Sequence, residues 1–197
     1  APVRFSELRI EDPDAIAAIL YTSGTTGNAK GVMLTFDNLL ASIEAITGLG
    51  MLTADDRMLA ILPFHHIFPL QGTVTCPLYM GAIIVFSRSL NPDDILATLQ
   101  KHRITMFLGV PRLYEAFHAS LMAKIRSNPV ARVLFITSRG IGSLSLSRLL
   151  FKKVQDAFGG SIHAYLTGGA PMRPEVERDL RALGFKLIEG YGLTETA

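Results

Sequence analysis

Short apolar runs alternate with amphipathic segments along this chain. Ile16 to Tyr21 is an apolar run that ends in a polar, glycine-rich turn, and Gly31 to Leu34 is a second run. Leu39, Ile43 and Ile46 recur at i, i+4 and i+7, which is one stripe of a helix. Asn91, Pro92, Asp93 and Asp94 form a cap, a first-turn proline and two acids, and Lys101, His102 and Arg103 put positive charge where that helix would end. Ile104 to Leu108 then predicts a strand, Pro111 opens a helix running through Lys124, and Val133 to Ile136 reads as another strand. Gly140 to Ser147 reads as a loop. Leu146, Leu149, Val154 and Phe158 make a helical stripe stopped by Gly159 and Gly160, after which Ile162, Ala164 and Leu166 alternate as a strand should. Pro174, Glu175 and Glu177 start a helix with Val176, Leu180 and Leu183 on its core face and Gly184 as its stop, and Phe185 to Ile188 is the last strand. Strands alternating with helices predict an α/β fold with a largely parallel sheet covered by helices on both faces.

One segment tests that reading. Met58 to Ser87 contains no Asp, Glu, Lys or Arg, and is long enough to cross a bilayer if it were a single helix. Pro63, Pro69 and Pro77 break it, Gly72 and Gly81 interrupt it, and His65, His66 and Gln71 would each be costly in lipid. It is expected instead to form a strand, helix, strand unit buried on both sides. There are 197 residues, 49% hydrophobic and 18% charged, with 19 basic against 17 acidic side chains, and this balance excludes a disordered chain or one that wraps nucleic acid. The single cysteine, Cys76, excludes a disulfide scaffold, and the first eleven residues carry no secretory pattern. The expected compartment is reducing and cytoplasmic.

Three turns carry the candidate chemistry. Tyr21-Thr22-Ser23-Gly24-Thr25-Thr26-Gly27-Asn28-Ala29-Lys30-Gly31 combines three glycines, four hydroxyls and a lysine. Glycines let the backbone turn its N–H groups inward, the hydroxyls add donors, and Lys30 adds a fixed charge, which together suit a polyphosphate. The Walker pattern requires Ser or Thr directly after the lysine; here Gly31 and Val32 follow and begin a strand. A flexible polar hairpin turn is the plainer alternative. Gly190-Tyr191-Gly192-Leu193-Thr194-Glu195-Thr196 follows the last strand, where ligands bind in parallel sheets. Tyr191 could stack on a flat base, Thr194 could donate to a phosphate, and Glu195 could hold magnesium; a plain turn with a helix cap at Thr194 explains the same residues almost as well. Thr167-Gly168-Gly169-Ala170-Pro171 also ends a strand and would let a ligand approach the backbone.

Taken in this order and spacing, Tyr21 to Val32, Pro63-Phe64-His65-His66, Gly168 to Pro171 and Gly190 to Thr196 closely resemble the adenylate-forming superfamily. That superfamily includes AMP-forming acyl-CoA synthetases, beetle luciferases and the adenylation domains of peptide synthetases. The resemblance implies the layered N-terminal domain of those enzymes. It also implies a two-step reaction, in which a carboxylate attacks the α-phosphate of Mg-ATP and a thiol, usually coenzyme A, then displaces AMP. Carried over by position, Thr22, Ser23, Gly24, Thr25, Thr26, Gly27 and Lys30 would grip the β- and γ-phosphates. Gly169, Ala170 and Pro171 would wall the adenine, Gly190, Tyr191 and Gly192 would hold the base with Tyr191 as the stacking ring, Thr194 would contact the α-phosphate and Glu195 would bind Mg2+. His66 matches a residue lining the acid pocket, while His65 is read as structural.

Amino-acid-activating members place an aspartate near the His66 segment to pair with the substrate ammonium. No carboxylate lies between Arg57 and Arg88 here, so the expected substrate is a neutral-tailed carboxylic acid. Phe107 to Glu115 resembles long-chain acyl-CoA synthetases, which points to a long-chain fatty acid ahead of medium-chain or aryl acids. Arg112 in that run suits a family role and a solvated helix start equally. Family members continue into a ribose-binding aspartate, a hinge and a C-terminal lid domain. The chain is therefore expected to be an inner piece of the N-terminal domain, inactive alone and prone to self-association through uncovered apolar surface. The resemblance leaves room for peripheral membrane association of the parent, and composition gives no reason to expect nucleic acid as a partner. A phosphate-loop NTPase and a non-catalytic nucleotide-binding module are the rival readings.

Overall fold

The centre of the fold is set by strands that no polar residue interrupts. The computed structural model describes residues 10–23 and 28–196, in which five parallel strands form one sheet. In chain order these are β3 (Arg57–Ala60), β4 (Ile83–Phe86), β5 (Met106–Gly109), β6 (Ala164–Thr167) and β7 (Leu187–Glu189), lying side by side as β4-β3-β5-β6-β7. Leu59 pairs with Phe107, Phe107 with Tyr165, and Leu166 with Ile188. Leu59, Phe107 and Tyr165 have no exposed surface, because helices cover both faces of the inner strands. A separate antiparallel hairpin, β1 (Ile16–Ser23) with β2 (Ala29–Thr35), precedes the sheet.

Helix α1 (Phe36–Thr47) begins at a reciprocal cap: Thr35 Oγ1 accepts from Asn38 N at 3.2 Å and Asn38 Oδ1 from Thr35 N at 3.1 Å. Between β3 and β4 runs one continuous helical segment, α2 (Ile67–Leu70), a π-helical turn (Gln71–Thr75) and α3 (Cys76–Met80). It ends at Gly81, whose φ of 74° is left-handed. Gly72 within it lies so close to β5 that a Cβ would overlap Leu108 Cδ1. The strand, helix, strand reading of the charge-free stretch therefore holds, except that β4 is an edge with Ile83 and Phe86 exposed and is not buried on both sides. Among the described residues no helix is long and apolar enough to cross a membrane.

The outer face carries α4 (Pro92–His102), α5 (Pro111–Arg126), α6 (Pro129–Ile141), α7 (Leu144–Leu150), α8 (Lys152–Ala157) and α9 (Pro174–Ala182). Three expectations fail here. Val133 to Ile136 is not a strand but the middle of α6, since Asn128 caps Ala131 N, Pro129 sits in the first turn and Gly142 closes the end with φ 70°. Local β-propensity gave way because Phe135 and Ser138 turn inward at helical spacing while Val133 and Ile136 face outward. Gly140 to Ser147 is consequently no loop, as only Gly142 and Ser143 separate α6 from α7. The 146–158 stripe is two helices broken at Phe151, and Leu149 is exposed rather than packed. The strand expected from the alternation of Ile162, Ala164 and Leu166 is present as β6, and it is covered on both faces, since the intervening Tyr165 is fully buried.

Inside the outer layer, Phe107, Tyr114, Phe117, Phe158, Tyr165 and Phe185 form a connected aromatic core, with Tyr165 and Phe185 centroids 4.7 Å apart. The Tyr114 hydroxyl donates to the Leu166 carbonyl at 2.8 Å, fixing α5 to β6. Burial pushes both tyrosine hydroxyls well above their usual range. At the amino-terminal edge, Asp56 accepts from Thr53 N at 2.8 Å, Thr53 Oγ1 at 2.9 Å and Thr105 Oγ1 at 2.7 Å, with His163 Nε2 at 2.7 Å. Burial raises the Asp56 carboxyl, and the hydrogen bonds from His163, Thr105 and Thr53 outweigh it, leaving the pKa below its usual 3.8.

Two outcomes follow from this packing. At Gly159, φ is 90° and a Cβ would lie 2.6 Å from the Leu99 carbonyl oxygen, so Gly159→Ala should destabilise the chain by about 3 kcal/mol in urea titration. Asp56→Asn should cost about 1–3 kcal/mol at neutral pH. A depressed carboxylate pKa contributes stability above its unfolded value and loses it as pH falls through the folded one, so the gap between the two proteins should close below about pH 3.8.

Candidate active site

Parallel pairing delivers the ends of β3, β5, β6 and β7 to one edge of the sheet. Three of the four sequence-predicted segments leave from that edge. After β3 the chain passes Pro63 and Phe64 to His65 and His66, both exposed, with ring centroids 4.2 Å apart; His66 is the residue that precedes α2. After β6 come Gly168 to Pro171, and after β7 comes Gly190. The two turns are joined directly, with Gly190 N donating to the Thr167 carbonyl at 2.8 Å. A Cβ on Gly168 would stand 3.0 Å from the Gly190 carbonyl oxygen and 3.0 Å from the Phe68 ring, so α2 and the turns after β6 and β7 meet tightly around a glycine. Gly169 takes a φ of 80°, and Ala170 and Pro171 are exposed beside it.

The remaining segment reaches the edge through the hairpin. Thr22 faces Lys30 across β1 and β2, with Thr22 Oγ1 3.5 Å from the Lys30 carbonyl oxygen. Ser23 pairs with Ala29 at the end of β1, so the strands on either side of this segment form a hairpin. Gly24, Thr25, Thr26 and Gly27, expected to grip phosphate, lie outside the described residues. Lys30 is exposed. Beyond β7, a 3-10 turn, Thr194–Thr196, packs beside β2 and brings Thr194 and Glu195 next to the strand that bears Lys30. Tyr191 is 94% exposed and its ring is free to take a flat partner. Arg112 is exposed in the first turn of α5, as a solvated helix start would be.

Several contributing residues gave no signal in the sequence. Glu189 Oε1 accepts from Met172 N at 3.1 Å and so closes the 168–172 turn; its only mark was its place just before Gly190. Phe68 walls Gly168, and Ser42 of α1 donates to Gln71 Oε1 at 2.9 Å, tying α1 and the hairpin that leads into it to the helix after His66. Thr167 Oγ1 and Gln71 Nε2 are buried without hydrogen-bond partners. Burial pushes the Cys76 thiol up to about 11, so it is protonated at neutral pH and not a nucleophile.

The donor set suits polyphosphate and a flat base: the exposed Lys30, the half-buried Thr22 and Thr194 hydroxyls, glycine turns that a ligand can approach, an unstacked aromatic ring, and the orphaned Thr167 hydroxyl at the strand end. For a metal the fit is narrower. Among the described residues no three His, Cys, Asp or Glu side chains gather into a cage, which leaves Glu195 as a single exposed carboxylate. Magnesium is commonly held by one or two carboxylates and substrate phosphates, so Glu195 suits an ion that arrives on a nucleotide.

The family model for "AMP-binding enzyme" matches residues 3–197. This chain belongs to the AMP-binding enzyme family. It is 32% identical over 197 residues to the peroxisomal long chain acyl-CoA synthetase 6 of Arabidopsis thaliana, covering 94% of this chain and 28% of that protein. It is likewise 32% identical over 203 residues to long-chain-fatty-acid–CoA ligase 4 of Saccharomyces cerevisiae, covering 96% of this chain and 29% of the relative. ATP-bound MatB from Rhodopseudomonas palustris superposes with a TM-score of 0.69 at 28% identity, covering 94% and 30% of the two chains. The chain thus spans under a third of the length of these AMP-binding relatives, and the α/β fold expected from the sequence is the one observed.

If close approach holds the turns after β6 and β7 together, Gly168→Ala should cost about 2 kcal/mol in urea titration and Glu189→Ala about 1 kcal/mol. The reverse ranking would show that the carboxylate, not the glycine, fixes the turn.

Proposed function

We propose that this chain supplies the nucleotide-gripping and acid-facing part of an AMP-forming acyl-CoA synthetase that activates a long-chain fatty acid. The observation that carries the reading is the convergence of the Lys30 hairpin, the Gly168 turn and the Tyr191–Glu195 segment on one sheet edge beside His66. Kinship with proteins named as long-chain acyl-CoA synthetases supports the substrate class. So does the charge-free segment: a substrate ammonium entering beside His66 would find no carboxylate between Arg57 and Arg88, whereas a hydrocarbon tail needs none.

In this reading the fatty acid carboxylate attacks the α-phosphorus of ATP, the bond to pyrophosphate breaks, and the acyl-adenylate then passes its acyl group to the coenzyme A thiol as AMP leaves. No protein atom bonds covalently to substrate, so the residues act by position and charge. Thr22 to Lys30 hold the β- and γ-phosphates and guide pyrophosphate away. Gly169, Ala170 and Pro171 bound the adenine and Tyr191 lies on its face, with Gly190 and Gly192 leaving room for the ring. Thr194 donates to the α-phosphate, where charge accumulates as the pentacoordinate centre forms, and His66 lines the side from which the carboxylate approaches. Magnesium, when bound through Glu195, would neutralise phosphate charge. The ribose contact, the lid and the thiol channel would belong to the more than two thirds of the relatives' length that this chain does not cover, and a reducing compartment such as the cytoplasm suits the thiol chemistry.

Fatty-acid-dependent exchange of pyrophosphate into ATP tests this. A protein of the relatives' full length carrying these residues should exchange with palmitate, and Lys30→Ala or Glu195→Ala should each slow it by about 100-fold. The 197-residue chain alone should show no exchange. ATP hydrolysis without any acid, or nucleotide binding indifferent to acid in the full-length protein, would overturn the ligase reading.

A further inference from the structure

The opposite, amino-terminal edge of the sheet holds a second cleft with different chemistry. Arg57 at the start of β3, Lys101, His102 and Arg103 at the end of α4, Thr105 before β5 and Ser161 before β6 line an open recess of about 320 Å³. Among the described residues, none of Arg57, Lys101 or Arg103 has a carboxylate within 4.0 Å. The adjacent acid, Asp56, is already engaged by Thr53, Thr105 and His163. Three unpaired cations therefore share one recess with two hydroxyl-bearing residues and a histidine.

Helix ends favour cations, and that explains Lys101 and His102. It does not explain the rest. Arg57 and Ser161 lie on other elements; the Arg57 backbone N donates to Thr105 Oγ1 at 2.9 Å, and its guanidinium Nη1 reaches the His102 carbonyl oxygen at 3.4 Å. Arg103 has a φ of 50°, the one non-glycine residue among those described with positive φ. Glycine is the usual occupant of that cap position, so the arginine that lines the cleft sits on backbone that glycine would adopt at lower cost.

We propose that this cleft binds a phosphate monoester, separately from the nucleotide site at the carboxyl edge. Arg57 and Arg103 supply planar forks for the phosphate oxygens, Lys101 adds charge and the Ser161 hydroxyl adds a donor, while Thr105, whose hydroxyl is committed to Asp56, fixes the Arg57 backbone beside them. The volume accommodates a phosphate with a small organic group.

Titration of the 15N-labelled 197-residue chain with inorganic phosphate at constant ionic strength tests this by amide NMR. Saturable shifts at Arg103, Thr105 and Ser161 are expected, and Arg57→Gln and Arg103→Gly should each weaken binding about tenfold. Arg103→Gly guards against a folding artefact, because glycine suits a φ of 50° and should leave thermal stability unchanged or higher. Two arms separate the sources of the phosphate. Saturation by glycerol 3-phosphate identifies a free monoester, whereas Arg57-dependent co-sedimentation with phosphatidic acid vesicles, absent with phosphatidylcholine alone, identifies a lipid headgroup. Shifts confined to Thr22 to Lys30, unsaturable shifts spread over all basic residues, or binding indifferent to both substitutions would overturn the proposal.

Discussion

Everything in this chain depends on keeping β3, β5 and β6 out of water on both faces at once. Leu59, Phe107 and Tyr165 have no exposed surface, and each belongs to a parallel strand that must be followed by a crossover before the next can pair. The crossovers supply the helices that cover the sheet. They also fix polarity: every strand enters at one edge and leaves at the other. The leaving edge gathers turns free of secondary structure, whose backbone N–H groups and small residues lie open to a ligand. Glycine at 168 follows from that convergence, since the β6 and β7 exits and the Phe68 ring approach within van der Waals limits there.

The two edges solve opposite electrostatic problems. At the carboxyl edge the charges stand apart, Lys30 on the hairpin, Glu195 on a 3-10 turn and Arg112 at the start of α5, with Glu189 engaged by the Met172 backbone. At the amino edge charge is dense. Asp56 is buried and works because four donors surround it, tying the entries of β3, β5 and β6 together, while the neighbouring cations have no such partner. A carboxylate in that position holds the sheet together only while ionised, which makes the amino edge the acid-sensitive part of the fold.

How much of this was legible in the sequence follows from how local each signal is. Asn91 with Pro92, and Pro174 with Gly184, place helix ends correctly because caps act within a few residues. Val133 to Ile136 failed because four apolar residues fit a strand or a helix equally, and the deciding cap at Asn128 lay outside the run. The phosphate-type turn and the Tyr191 to Glu195 segment were readable as composition, but their adjacency was not, since the residues between Lys30 and Thr194 say nothing about which side of the sheet each will reach. Glu189, Phe68 and Gln71 escaped notice because their contributions are contacts across 17 residues or more.

By itself the sequence determined the α/β alternation, the family and the chemical inventory of the site, because periodicity, caps and glycine-rich turns are properties of neighbouring residues. Only the tertiary structure decided that the hairpin, the Gly168 turn and the Tyr191 segment share one edge, that β4 is an exposed edge strand, and that Arg57 meets Arg103 in a cleft. Those are consequences of strand order, and strand order is set by which apolar faces can be buried together, a global condition that no window of the chain contains.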